Sequence, residues 1–375
     1  MPNCSLKSFL QLNAVFVVSL LAVSSLAAQV VKPLPVSVGG RVAIKNENNQ
    51  AQYIYSWPGT YFEASFTGAS VDIRLDDSVN MLNITVDKET PIVLNKPGKI
   101  NYSLKNLGEG IHKVRVEKRT ESYSRTATFH GFFIPESQTA ITAEKLKRKI
   151  EFIGDSFTLG YGNTATGREC SNEQVFLTTD TQAAFGPLIA KYFNAQYQVN
   201  AFSGQGVVRN YKGSDPETSL ILKYPYVFNY GDIFYHDDWS PQIIAIILGA
   251  NDFNTPLESH ERWKTRDALQ KDFVATYEKF VLSLRKQHPS ANIFLVSPDN
   301  STSEVTAQIS RVVDNLKEKG ERKVLLRVTD VTLGLTGCAW HASAEDHKKV
   351  AGLFIDYLEK NPSLWGVDPA LRSGN

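Results

Sequence analysis

Apolar and polar residues alternate through the first third of the chain, and then the period changes. Phe62, Ala64 and Phe66 alternate with polar neighbours, as do Val71, Ile73 and Leu75, and then Leu82, Ile84 and Val86. Val114 and Val116, and then residues 129–134, continue the pattern. A period of two sends successive side chains to opposite faces, so each run predicts a half-buried strand. Turn sequences separate the runs: Trp57-Pro58-Gly59, Thr67-Gly68, Lys96-Pro97-Gly98 and Leu107-Gly108-Glu109-Gly110. Many short strands without an intervening helical period predict an antiparallel β-sandwich over residues 30–140.

The second region, residues 145–365, alternates strand and helix. Ile150 to Ile153, Ile243 to Leu248, Ile293 to Val296 and Val324 to Val328 read as strands, the second nearly continuous aliphatic, as expected of a strand buried on both faces. Leu269, Phe273, Tyr277, Phe280 and Leu284 fall on one helical face, with Asp267 as the start and His288-Pro289 as the stop. Val305, Ile309, Val312 and Leu316 make a second amphipathic helix. Ser343, with Asp346 three residues on, predicts a capping box for a helix carrying Val350, Phe354 and Leu358. This order predicts an α/β domain with a parallel sheet and helices on both faces. The boundary is expected in the polar, non-periodic segment Pro135 to Ala143.

The N-terminus reads differently from both. Lys7 precedes an apolar run from Ala14 to Leu26, and Ser25-Leu26-Ala27 carries small residues where a signal peptidase reads. Residues 1–27 are therefore expected to be a signal peptide, and the mature protein secreted or periplasmic, with no membrane span left after cleavage. The 375 residues are 42% hydrophobic and 21% charged, enough to bury a core. A formal net charge of +1 gives no field that favours nucleic acid or an anionic membrane. The basic run from Lys145 to Lys149 reads as a solvated face or linker. Cys4 leaves with the signal; Cys170 and Cys338 remain, either as a disulfide or as two buried thiols.

Open α/β sheets place their sites at the carboxyl ends of the strands. Gly154-Asp155-Ser156 follows the first predicted strand, Gly249-Ala250-Asn251-Asp252 follows the second, and His341 precedes the helix that Ser343 caps. A serine hydroxyl becomes a nucleophile when a base takes its proton, and His341 is the candidate base for Ser156. The tetrahedral oxyanion needs preorganised donors; the Ser156 N–H, the Gly204 N–H and the Asn251 amide are the candidates. Thr158 stands where the nucleophile elbow of α/β-hydrolases has its second glycine, so that elbow is excluded. There is no phosphate loop, and His236-Asp237-Asp238 lacks a second cluster at metal-ligand spacing. No cofactor and no metal are expected.

The four blocks Gly154-Asp155-Ser156, Ser203-Gly204-Gln205-Gly206, Gly249-Ala250-Asn251-Asp252 and His341 resemble those of the SGNH (GDSL) hydrolases. Gly160 to Asn163, Ser203 to Asn210 and Gly337-Cys338-Ala339-Trp340-His341 resemble carbohydrate esterase family 2 more narrowly. So do Gly110 to Val114 and Lys118 to Glu121, which match that family's N-terminal jelly-roll domain. The resemblance implies an SGNH-type α/β domain after a jelly-roll sandwich. It also implies deacetylation of acetylated plant polysaccharides or oligosaccharides such as xylan and glucomannan. Ser156 would be the nucleophile, His341 the base, and Gly204 and Asn251 oxyanion donors. Oligomeric state is left open.

One departure matters. The family pattern has an aspartate two residues before the histidine, where this chain has Ala339. Such an acid fixes the imidazole tautomer. A backbone carbonyl can do the same, so a Ser–His dyad with a main-chain acceptor is expected, with Asp330 and Asp346 as fallback orienters. Trp340, Trp239 and Trp263 are candidate sugar-stacking residues, Trp340 first because it adjoins His341. Two rival readings remain: a lipid esterase or thioesterase on the same catalytic domain, and a carbohydrate-binding protein with relict catalysis, which Ala339 alone favours.

Overall fold

A computed structural model of the chain describes residue 1 and residues 30–236, 238–297 and 303–366. The expected signal segment and Cys4 lie outside the described residues. Residues from Val31 onward form one compact unit with three sheets.

Two antiparallel sheets come first. One contains β1 (Val31–Pro33), β3 (Val42–Glu47), β4 (Gln50–Tyr55), β6 (Ser70–Asp77), β9 (Gly98–Lys105) and β11 (Ala127–Pro135). The other contains β2 (Ser37–Gly39), β5 (Tyr61–Thr67), β7 (Met81–Val86), β8 (Ile92–Asn95), β10 (Ile111–Lys118) and β12 (Thr139–Ile141). The alternating residues meet between the sheets: Phe62, Phe66, Ile73, Leu75, Ile84, Val116 and Phe129 are all buried in one cluster. Phe62 stacks on Phe129 with ring centroids 4.2 Å apart. Each such side chain contributes about 1.5–3 kcal/mol by leaving water. β12 falls inside the expected linker, because Thr139 to Ile141 pair with β5.

The third sheet is parallel, in the order β14-β13-β15-β16-β17. Its strands are β13 (Arg148–Gly154), β14 (Ala195–Ala201), β15 (Ile243–Ile247), β16 (Asn292–Ser297) and β17 (Val324–Val328). Short α1 (Ser156–Leu159) and α2 (Asn172–Thr178) follow β13; α4 (Leu220–Lys223) and α5 (Ala250–Phe253) flank β15. Side chains of α3 (Phe185–Tyr192) and α8 (Ala344–Lys360) share one core cluster on one face of the sheet. Those of α6 (Arg266–Gln287) and α7 (Glu304–Glu318) share the cluster on the other. Connections therefore leave β13 and β15 on opposite faces, which opens a crevice at their carboxyl ends.

One expectation needs correction, and two elements go beyond the sequence reading. The cap of α6 is Thr265, whose hydroxyl accepts from Ala268 N; Asp267 lies in the first turn, where its charge suits the helix N-terminus. β14 and α3 were not anticipated. Gln196, Gln198 and Asn200 interrupt β14, and a parallel strand with alternating polar residues does not read as buried. Gln198 and Asn200 are nevertheless buried, and Asn200 donates to Glu151 on β13 at 2.7 Å.

Candidate active site

Ser156 begins α1 directly after β13. Asp155 is the cap, accepting from Phe157 N at 3.0 Å. This arrangement needs Gly154, where a Cβ would meet Thr158 Oγ1 at 2.0 Å and Ile247 O at 2.7 Å. Asp155 forms the turn beneath Ser156, and its buried carboxyl is also titratable. Burial pushes its carboxyl up to about 7, and nearby Asp252 and Glu121 push the same way.

His341 reaches Ser156 across the sheet rim: Nε2 lies 2.8 Å from Oγ. Its Nδ1 lies 2.9 Å from the Cys338 carbonyl oxygen. A carbonyl only accepts, so Nδ1 carries the proton and Nε2 presents its lone pair to the serine hydroxyl. Burial lowers the imidazole pKa against the opposing pull of the Cys338 and Ala339 carbonyls, which favours the neutral form. Neither fallback carboxylate is the orienter. Asp346 is occupied by Gly334 N, Leu335 N and Ser343 in the α8 capping box, and Asp330 is exposed in a loop.

The histidine loop is tightly held. Cys338 is bonded to Cys170. Ala339 and Trp340 both adopt left-handed backbone, φ 50° and 62°, which costs a non-glycine residue about 1–2 kcal/mol each. Ala339 N donates to Arg168 O at 2.8 Å, and the Arg168 side chain donates to Leu335 O and Gly334 O. Gly162 lets the Ser156 side approach closely, since a Cβ there would meet Cys338 Cβ at 2.4 Å.

The third strip of rim runs from Phe202 to Asn210 after β14. Asp252 gathers it by accepting from Val207 N, Val208 N and Arg209 N at 2.8–2.9 Å. Gly206 has no room for a side chain: a Cβ would meet Arg209 O at 2.1 Å. Gly204 has φ 75°, and among the described residues neither its N–H nor that of Ser156 has an acceptor. Asn251 stands differently from its expected role. Its amide donates to Gln205 O at 2.9 Å and Asp155 Oδ2 at 3.1 Å, so both N–H groups fix the rim instead of facing the cleft.

These strips enclose a cleft of about 750 Å³. Trp340 lines it and is 62% exposed, with the Arg168 guanidinium 3.7 Å from its ring. Trp239 does not belong here. It precedes β15, at the amino end of the sheet, and lines a separate cavity of about 650 Å³ with His236 and Asp238; Asp237 lies outside the described residues. Trp263 is packed beside α6, its indole N–H on Asp272. Three tyrosines were not singled out individually: Tyr161, whose ring lies 4.5 Å from that of His341, Tyr211, and Tyr123 from the sandwich region. Tyr161 lies within the Gly160 to Asn163 block and is tied to the Ser156 carbonyl by its own N–H, whereas Tyr123 and Tyr211 carry no local mark and reach the rim through the tertiary fold. Among the described residues no group of His, Cys, Asp or Glu is arranged to hold a metal, and no helix is long and apolar enough to cross a membrane.

A 2-1-3-4-5 parallel sheet with Gly-Asp-Ser, Gly-x-Asn-Asp and His segments at its carboxyl rim defines the SGNH, or GDSL, class of hydrolases. Residues 150–354 match the GDSL-like Lipase/Acylhydrolase family, and residues 38–143 match the Carbohydrate esterase 2 N-terminal family. The chain belongs to carbohydrate esterase family 2 and is a carboxylic ester hydrolase. An "acetylxylan esterase / glucomannan deacetylase" of Cellvibrio japonicus is 47% identical over 348 residues, 92% of this chain and 96% of that protein. A solved carbohydrate esterase, described as displaying divergent catalytic and non-catalytic binding functions, is 46% identical with a TM-score of 0.85, covering 89% of this chain and all of that one. A family two carbohydrate esterase of Clostridium thermocellum, solved with cellohexaose, is 25% identical with a TM-score of 0.75, covering 88% of this chain and 100% of that one.

Proposed function

We propose that this enzyme removes O-acetyl groups from acetylated plant polysaccharides or oligosaccharides such as xylan and glucomannan, with Ser156 and His341 as a catalytic dyad. The observation that carries the reading is the relay from Ser156 Oγ to His341 Nε2 at 2.8 Å and from Nδ1 to the Cys338 carbonyl at 2.9 Å. Ser156 Oγ attacks the acetyl carbonyl carbon while Nε2 takes the hydroxyl proton. The carbonyl electrons move to the oxygen, which the Ser156 and Gly204 N–H groups stabilise. Asn251 acts one step back, holding the Gln205 carbonyl beside Gly204 and the Asp155 cap beneath Ser156. Collapse breaks the bond to the sugar oxygen, which takes the proton from Nε2. Water, deprotonated by the same nitrogen, then releases acetate and restores the serine.

The substrate class is supported by the name of the Cellvibrio relative and by an aromatic cleft mouth suited to pyranose faces. Export as a secreted or periplasmic protein is part of the same proposal. The N-terminal sequence pattern and the Cys170–Cys338 disulfide support it.

The test is acetate release from acetylated xylan, glucomannan and simple acyl esters, by the wild type and by Ser156→Ala. The expected result is release from the glycans and a loss on the order of 10⁴–10⁶ in kcat for the variant. Activity confined to simple esters, or long-chain esters cleaved as fast as acetate, would overturn the carbohydrate assignment.

A further inference from the structure

The sandwich region reaches into the rim through Glu121 as well as Tyr123, and Glu121 holds its backbone. Glu121 Oε1 accepts from Ser203 N at 2.8 Å, across a sequence separation of 82 residues. Ser203 immediately precedes Gly204, which lines the cleft and whose N–H has no acceptor among the described residues. Downstream of Gly204 the loop is fixed by its own side of the molecule: Gly206 N donates to Asn210 Oδ1, and residues 207–209 are held by Asp252. Upstream, Phe202 N is tied to Gly154 O at 3.1 Å. Between these two anchors, Ser203 is held by Glu121.

Glu121 is itself a fixed point. It is 5% exposed. On the sandwich side, Lys118 N donates to Thr60 O and Arg119 N to Met81 O. The Lys118 ammonium bonds Thr120 O, and Ser122 Oγ donates to Ser56 O at 3.1 Å and Asn80 Oδ1 at 3.0 Å. On the α/β side, Thr181 holds the Arg119 carbonyl through both N and Oγ1, and Gln182 Nε2 donates to Lys118 O at 3.1 Å. A carboxyl group on a segment held from both sides can set the backbone of a loop that otherwise turns through a glycine at φ 75°.

We infer that Glu121 is a positioning residue for the oxyanion hole: by accepting from Ser203 N it aims the Gly204 N–H at the acyl oxygen, so the sandwich completes the catalytic apparatus of the α/β domain. The inference rests on the proposed role of Gly204. A donor displaced by about 1 Å costs on the order of 10²-fold in rate, and one removed costs about 10²–10³-fold.

Glu121→Gln, Glu121→Asp and Glu121→Ala separate this role from domain adhesion. p-Nitrophenyl acetate turnover and the rate of labelling by a serine-directed phosphonate are measured for each, with unfolding followed by circular dichroism. Glutamine keeps an acceptor within reach of Ser203 N and holds kcat within about 3-fold of wild type. Aspartate keeps the carboxyl group but loses the reach, and alanine loses both; in each, kcat falls about 10²-fold with KM little changed, and phosphonate labelling slows in parallel. If alanine does not fold, aspartate against glutamine carries the test. Wild-type kcat and labelling in the aspartate variant would overturn the inference, as would equal damage from glutamine and aspartate. A wild-type enzyme that neither hydrolyses the ester nor takes the label would sink the dyad reading itself, a different failure.

Discussion

The sandwich and the α/β region order themselves by different means. The α/β region has apolar clusters on both faces of its sheet, and its catalytic loops are pinned locally by helix caps, Asp252 and a disulfide. The sandwich has one apolar cluster between its sheets, yet its contacts with the α/β region are largely polar and buried. Arg41 pairs with Glu151, Arg119 with Asp180, and Arg115 donates to Tyr197. Only a few apolar side chains cross, such as Trp57 and Tyr61, which join the α/β clusters. Apolar burial is non-directional, whereas a buried polar contact demands one geometry. The polar joint therefore suits a region whose task is to hold a rim in register.

The largest expected effect comes from breaking that joint away from the chemistry. Arg41 lies almost fully buried between the rings of Tyr224 and Tyr235, with its guanidinium 3.2 Å from Glu151 Oε1 and also donating to the Tyr224 carbonyl. Arg41→Ala leaves Glu151 charged and buried without its cation, which costs about 3–5 kcal/mol. Urea unfolding should show that loss while kcat per folded molecule stays at the wild-type value. A fall in kcat with unchanged stability would mean that the polar joint acts on the chemistry everywhere, not through Glu121 alone.

The corresponding break inside the α/β region is Cys170→Ala with Cys338→Ala. Removing the bond costs about 2–5 kcal/mol. It also frees the carbonyl that orients His341, in a loop with two strained residues, Ala339 and Trp340. Stability and kcat should therefore fall together, kcat by about 10-fold, in contrast to Arg41→Ala. Steady-state kinetics beside denaturant curves check this; an unchanged kcat would show that Arg168 suffices to hold the loop.

Much of this architecture was legible in sequence, unevenly and for physical reasons. Strands with strict alternation, such as β5 to β7, and helices with a clean apolar face, such as α7, announced themselves because burial of one face is written into the period. β14 hid because its Gln198 and Asn200 are buried for polar partners on other strands and loops, which no local window contains. Ser156 was legible after a strand and His341 before a capped helix, and the acceptance of the imidazole N–H by a main-chain carbonyl was expected from the missing acid at Ala339. Which carbonyl orients the imidazole was not legible, because it depends on left-handed turns at Ala339 and Trp340. Trp239 was misplaced for a related reason: residue type suggested stacking, but its position before β15 sets it at the opposite end of the sheet.

A smaller effect tests the electrostatics of the α/β rim by itself. Protonating His341 Nε2 removes the base, so kcat/KM falls on the acid side through the pKa of the free enzyme's imidazole. Burial holds that pKa below the ordinary histidine value of 6.5, and the neutral base therefore persists to lower pH. A pH–rate profile should place the acid midpoint below 6.5. A midpoint at or above it would indicate a carboxylate stabilising the imidazolium, which would reopen the case for Asp346.

The smallest effect returns to the sandwich. Tyr123 follows Glu121 by two residues, lies edge-on to Phe202 at 6.2 Å and lines the cleft while 53% exposed. Among the described residues it makes no hydrogen bond to Ser156 or His341, so its contribution is to the wall that meets a sugar ring. Tyr123→Ala should raise KM for acetylated oligosaccharides by about 2- to 5-fold, the scale of an exposed aromatic contact. It should leave kcat, and all turnover of p-nitrophenyl acetate, near the wild-type value, because uniform binding of a remote group changes KM alone. Glu121→Asp makes the opposite split, lowering kcat for both substrates. If Tyr123→Ala instead lowers kcat on the small ester, the segment acts as one unit on the oxyanion loop, and binding and positioning by the sandwich cannot be assigned to separate residues.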